Sequence, residues 1–451
     1  MTSARFGVVA IMLAAPLFGW SSALHGAGEP ADVVEIRGAV TPLAGSIVSM
    51  SQAGVLLQLE AAESTSASAS VSGEVGAQRA LIGWDQVRLV RGSKAVAAEA
   101  FKPFADALWL GRFRLELGDV VMAEQLLEPL FAAPANQPPL GPSGRVLAES
   151  ILRVRLLRGW TSGATEAWLS WLRARPSVSS SDGPAPRWVG GSVASSAGGG
   201  RGEMIEASMG VCPWLPPAAS TAFNPGAARN IAAMDVAKFA DADSVTKAML
   251  GLYQFDARAE LARMEGQAVE TSLPAHVSDD AGVRLVYDIV SARWGSTEQR
   301  GLARAALERR LRAAQASGQS KAGAMPRTSD KRSEQSEVGD DADNALATAR
   351  TWEVAWCQLA IGRSLLVEAS IAQRRLGVAM ILELPAQHAT AFPLLAAVAI
   401  ADASAELDAQ GDVAGARRLR ADLAALLPDL PEPDPGPLSA PPGGGSLPGG
   451  R

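Results

Sequence analysis

Histidine, cysteine and tyrosine are nearly missing from this sequence, which has His 3, Cys 2 and Tyr 2 in 451 residues. The histidines are His25, His276 and His388, with no helical or short-loop spacing between them. Zinc sites and general-base sites built on imidazole need such spacing, so neither is supported. Two cysteines exclude a fold stapled by disulfides. An exported chain can pair Cys212 with Cys357. Alternatively, Cys357, inside the apolar stretch Trp352–Cys357, stays free and packs as a small hydrophobe. Positive charge is also scarce relative to negative, with a net charge of −6. Nucleic-acid binding needs a basic stripe to neutralise phosphates, and none is present. Nor does a Lys/Arg run flank an apolar helix, as a membrane-surface anchor would require.

The familiar catalytic signatures are absent as well. The chain has no G-x-S-x-G elbow, Walker A loop, H-E-x-x-H or dinucleotide fingerprint. The glycine run Gly198–Gly202 does not follow a strand and reads as linker. Asp340-Asp341-Ala342-Asp343-Asn344 lacks the alternating oxygens, central Gly and distal Glu of a calcium loop. It reads as the approach to a helix, with Asp343 or Asn344 as the cap. The sequence therefore assigns no catalytic residue, no cofactor-binding residue, no metal ligand and no cofactor.

What is present begins with an export signal. Arg5 precedes the uncharged run Phe6–Trp20, and the small residues Ser21 and Ala23 follow. This is the layout of a signal peptide over residues 1–23, leading to the periplasm or outside the cell. The alternative is an uncleaved N-terminal tether, since Phe6–Leu24 is just long enough to span a bilayer. With cleavage, no stable membrane insertion remains.

Residues 32–92 are strand-like. Val33–Arg37, Gly45–Met50, Gly54–Glu60, Ala80–Trp84 and Val87–Arg91 are short β-branched or apolar runs, with Ser51–Gly54 as a turn. "GVLLQLE" and "LIGWDQVRLV" resemble an Sm-like module, which implies a small five-stranded barrel-like fold with Trp84 closing one end. Members of that family bind RNA. The segment lacks a basic face interleaved with aromatics, so that role is not carried over.

From residue 95 the pattern takes the helical period. Four stretches resemble the tetratricopeptide unit, a pair of antiparallel helices whose small residues meet at a fixed offset. The first has Leu110-Gly111, the turn Gly118-Asp119, Ala123, Leu127 and Leu130. The second has Ile151-Leu152, Gly159, Ala164, Trp168, Trp171 and Pro176, with Leu152 where a small residue belongs. The third has Trp356, Leu359-Ala360, Ala372, Leu376 and Ala379, closed by Pro385. The fourth has Ala403-Ser404, Leu407, Gly411-Asp412, Ala416, Leu423 and Pro428. The resemblance implies a mainly α protein, an α-solenoid of helical hairpins placed after the β module.

The organisation that follows is hairpin repeats at 95–176, a Ser/Gly-rich flexible linker at 177–202 and a helical middle at 203–316. A polar linker at 317–343, hairpin repeats at 344–428 and a Pro/Gly-rich disordered tail at 429–451 complete it. Trp168, Trp171, Trp352 and Trp356 recur at helical spacing and are expected in the core. Cys212–Pro217 is an apolar extended loop that docks either on the helices or on a partner. Repeats beside an empty catalytic inventory predict an exported, non-enzymatic scaffold of the bacterial envelope, holding a protein or peptide in its helical groove. A carboxylate-dependent glycan hydrolase or lyase on a helical scaffold is the rival expectation, and needs two facing carboxylates. A purely structural spacer is the third.

Overall fold

The computed structural model describes residues 31–59, 79–132, 140–175, 187–189, 204–206, 208–215, 225–269, 272–274, 279–322 and 340–426. The expected signal peptide 1–23, the tail 429–451, His276, Pro176, Pro428 and the run Gly198–Gly202 lie outside the described residues.

An antiparallel sheet comes first, made of β1 (Asp32–Ile36), β2 (Leu43–Ser51), β3 (Gly54–Leu59), β4 (Arg79–Ile82) and β5 (Val87–Arg91). Each strand falls on one of the runs that predicted it. They pair in the order β5-β1-β2-β3-β4. Side chains alternate across each strand, so Ile47 is buried while Ser46 and Val48 face out. Val34, Ile47, Val55, Leu57, Ile82, Val87 and Val90 form a separate small core, covered by Ala98 of α1 (Ala95–Glu99) and Ala105 of α2 (Lys102–Glu116). Trp84 stacks on Phe101 with ring centroids 4.8 Å apart and donates its Nε1–H to the Ser51 carbonyl at 2.6 Å.

The barrel-like expectation needs a correction here, because the sheet is open. Strands β4 and β5 stand at opposite sides of the five and do not pair. The free edge of β4 is instead taken by β6 (Arg187–Val189), which runs parallel to it. That strand lies inside the segment read as linker. Trp188-Val189 is an aromatic and β-branched pair in a Ser/Gly-rich stretch, and an exposed strand edge recruits such a segment.

The remaining helices are α3 (Val120–Phe131), α4 (Gly141–Leu157), α5 (Thr161–Arg173), α6 (Pro225–Ala232) and α7 (Ser244–Met264). Then come α8 (Ala281–Trp294), α9 (Thr297–Ala322), α10 (Asp340–Leu366), α11 (Ile371–His388), α12 (Pro393–Ala409) and α13 (Val413–Leu426). From α2 onward each helix packs on its neighbours in sequence, and α2–α4, α5–α7, α8–α10 and α10–α12 also touch. One connected apolar core runs from Leu108 to Leu423, and Phe104 joins it to the core of the sheet. Trp168, Trp171, Trp352 and Trp356 are all buried in it, as their spacing predicts. Among the described residues no helix is long and apolar enough to cross a membrane.

The Gly-Asp turns work in two steps. Gly118 and Gly411 adopt φ of +79° and +85°, which an L side chain resists. This left-handed residue lets Asp119 N–H and Asp412 N–H reach back to the carbonyls of Arg114 and Leu407, ending the helix. The Asp carboxylate then caps the next helix, accepting from Met122 N–H at 3.2 Å and from Gly415 N–H at 2.9 Å. In the first hairpin a Cβ at Gly111 would lie 2.5 Å from Leu127 Cγ, so the glycine sets the approach. In the last, Ser404 Oγ donates to the Ala416 carbonyl at 3.1 Å, which brings together the small pair read from sequence.

The third hairpin departs from its expectation. Ala372, Leu376 and Ala379 are exposed, and Pro385 lies inside α11 rather than closing the unit. Asp343 and Asn344 fall within the first turns of α10, so neither stands before the helix as its cap. Between α10 and α11 there is no Gly-Asp turn to fix the register, and the helices close at Gly362 and Gly377 instead. A Cβ at Gly377 would sit 2.8 Å from the Gly362 carbonyl oxygen and 3.0 Å from Leu365 Cβ. Gly301 on α9 offers a contrast, with nothing within 4 Å of its Cβ position. Gly301→Ala should raise stability by about 0.5–1 kcal/mol through helix propensity. Gly377→Ala should lower it by about 1–2 kcal/mol through overpacking. Urea unfolding of both variants checks the opposite signs; a stabilised Gly377→Ala would refute the close approach.

Candidate functional site

Two carboxylates sit in the middle of the helical core. Asp256 and Glu260 lie one turn apart on α7 and are almost fully buried. Helix α7 starts at Asp243, whose carboxylate accepts from Thr246 N–H at 2.7 Å. Glu260 receives Arg263 twice, Nη2 to Oε1 at 2.7 Å and Nε to Oε2 at 3.2 Å. It also receives Nη2 of Arg293 from α8 at 2.6 Å. Asp256 accepts the Nε1–H of Trp294 at 2.7 Å. Across from them, Arg363 of α10 pairs through Nε with Asp402 of α12. Four helices thus bring three arginines and three carboxylates into one cluster.

Their surroundings drive the two α7 carboxylates apart. Burial pushes Asp256 up to about 6, against the pull of Arg293, the Trp294 hydrogen bond and Arg363, while nearby Glu260 adds to the rise. Burial opposes ionisation of Glu260 too, but Arg293 and Arg263 outweigh it and hold the group at about 2. Burial and the neighbouring Arg363 both lower the pKa of Arg293.

A consequence follows for pH dependence. A carboxyl whose folded pKa is raised favours the folded state fully below its unfolded value near 3.8, and loses that contribution as pH climbs through about 6. Asp256→Asn keeps the acceptor for Trp294 and cannot ionise. Relative to wild type the variant should gain about 3 kcal/mol between pH 4 and pH 7.5. Chemical unfolding at both pH values measures it. An unchanged difference would show that Asp256 ionises normally.

Arg293 and Arg363 also line a recess, together with Asp256, Trp356 and the apolar walls Ile289, Leu359 and Ala360. Its free space, ≈ 10 Å³ for the centres of water-sized molecules, matches a single water. Nη1 of Arg293 and Nη2 of Arg363 are buried there without a hydrogen-bond partner among the described residues. A sugar ring does not fit this space, and Glu260 is held by its arginines, so these two carboxylates do not form a glycan-cleaving pair.

A second feature crosses the same helices. The segment 204–215 lies on them, with Met204, Ile205, Val211, Cys212 and Leu215 buried. Trp168 of α5 donates Nε1–H to the Gly210 carbonyl at 3.0 Å, and Trp356 of α10 donates to the Pro213 carbonyl at 3.0 Å. The Tyr253 hydroxyl of α7 donates to the Leu215 carbonyl. Three aromatic side chains thus grip the backbone of one strap, and this decides between the two docking possibilities for the loop.

No family model, no curated protein and no solved structure matches this chain.

The sequence assigned no site residue, and the cluster explains why it went unseen. Its members are spread from Asp256 to Asp402 and meet only through packing. The one local signal was Asp256, Glu260 and Arg263, charged side chains in a row on an otherwise apolar helix. Cys212 and Cys357 are free, buried thiols, each pushed up to about 12 by burial. His388 stands in the last turn of α11 with its ring 6.4 Å from that of Phe392, not in a solvated loop, and burial lowers its pKa. Among the described residues no group of three or more His, Cys, Asp or Glu side chains is placed to hold a metal ion.

Proposed function

We propose that the chain is an exported, non-catalytic scaffold of the cell envelope that docks a protein or peptide. In this reading the hairpins form a tetratricopeptide-like solenoid, and the N-terminal sheet derives from an Sm-like barrel. The Gly-Asp turns and neighbour-to-neighbour packing of the helices support it. The strap covers part of α5, α7 and α10, so the docking surface is placed elsewhere, on the first hairpin.

The observation that carries this placement is a row of exposed apolar side chains on α2. Trp109, Phe113 and Leu117 are 38%, 42% and 63% exposed at successive turns of one helix face. The rings of Trp109 and Phe113 stack with centroids 5.6 Å apart and planes within 8°. Val121 and Met122 at the start of α3 extend the row. Rigid exposed aromatics at consecutive turns suit an apolar helix or extended peptide, which covers them and gains their burial.

A photo-crosslinking amino acid placed at Phe113 tests this in cells. A discrete adduct is expected there, lost with Trp109→Ala and Leu117→Ala, and absent when the probe sits at exposed Arg418 on α13. Adducts alike from both positions, or none from Phe113, would overturn the assignment.

A further inference from the structure

We propose that the recess between α7, α8 and α10 is a binding site for a small monovalent anion of about the size of a water molecule, held by Arg293 and Arg363. The inference stands independently of the scaffold reading, because it rests only on the buried cluster.

Its first support is unspent hydrogen-bonding capacity. Both guanidinium groups line the recess, their side chains are 10% and 5% exposed, and each leaves one buried nitrogen without a partner. A buried cationic N–H left unpaired is costly, and an anion in reach of both removes that cost. Its second support is the count of charge. Facing the recess or its arginines are Asp256, Glu260 and Arg263 from α7, Arg293 from α8, Arg363 from α10 and Asp402 from α12. With all six ionised the cluster is neutral. When Asp256 carries a proton, one positive charge is left over, and it lies on the side of the unpaired nitrogens. Its third support is size. The recess has space for one water-sized particle between the apolar walls Ile289, Leu359 and Ala360, which excludes phosphate and larger oxyanions.

Binding is therefore linked to protonation of Asp256, and chloride is the probe that separates an anion from a water. At pH 5.0 the unfolding midpoint of the purified protein should be higher in sodium chloride than in sodium gluconate of equal ionic strength. An approximately tenfold excess over Kd corresponds to a rise of about 2–4 °C. The gap should shrink at pH 7.5 in wild type and persist at both pH values in Asp256→Asn, which mimics the protonated acid. Crystals soaked in bromide at pH 5.0 should show an anomalous peak within hydrogen-bond distance of Arg293 Nη1 and Arg363 Nη2. Equal midpoints in the two salts at pH 5.0, or an ordered water in place of bromide, would overturn the proposal.

Discussion

Glu260→Gln should destabilise the protein by about 3–5 kcal/mol near neutral pH, the range for breaking a buried ion pair by removing one partner. The carboxylate accepts three guanidinium N–H bonds, two from Arg263 and one from Arg293. Glutamine offers one oxygen, and its amide turns a donor toward a donor. It also leaves Arg293 charged inside the core, already beside a second cation in Arg363. The pH dependence gives the effect a signature. A carboxyl held at about 2 contributes its stability above the ordinary value near 4.5 and loses it as pH falls toward 2. The penalty of Glu260→Gln should therefore be full at pH 7 and shrink in that acid window. Urea unfolding at pH 7 and pH 3 measures both parts. A loss below about 1 kcal/mol at pH 7 would mean that the cluster is solvated rather than buried.

Trp356→Ala should be about as damaging, by about 3–5 kcal/mol, for a different reason. The indole is fully buried, meets Trp352 edge-on at 5.2 Å, walls the recess and holds the strap through Pro213. Removing it opens a cavity and also leaves a carbonyl unsatisfied. Trp356→Phe separates the two effects, because it keeps most of the ring and loses the N–H donor. Its cost should be about 1–3 kcal/mol, the desolvation penalty of one unpaired buried acceptor. Cys212 reports on the strap locally, since it precedes Pro213 and is buried. In a Cys357→Ala background a thiol reagent should label Trp356→Phe faster than its parent under conditions where both stay folded. Equal labelling would show that the strap is held by its own packing and not by the indole.

How much of this was legible in the sequence follows from the range of the forces involved. The five strands could be placed because alternation and turn residues act within a few positions, as Ile47 between Ser46 and Val48 illustrates. The hairpins at Gly118 and Gly411 could be placed because one residue pair both stops a helix and starts the next. The third hairpin could not be registered, because Gly362 and Gly377 act through a contact between helices that no local pattern announces. Strand β6 was missed for the same reason, since three residues become a strand only when a free edge lies beside them.

The ion cluster is the extreme case. Each of its six charged residues is an ordinary member of its own helix. Burial, the partners and the separation of Asp256 from Glu260 in acidity exist only once α7, α8, α10 and α12 have packed. Sequence alone determined which segments are strand and helix and where most helices turn, because propensity, capping and left-handed glycine are properties of neighbours along the chain. Only the tertiary structure decided which charges share the low-dielectric interior, which loop becomes a strap and which edge of the sheet stays open. Those outcomes depend on distances between residues far apart in the chain, and desolvation acts on a group only when the rest of the fold surrounds it.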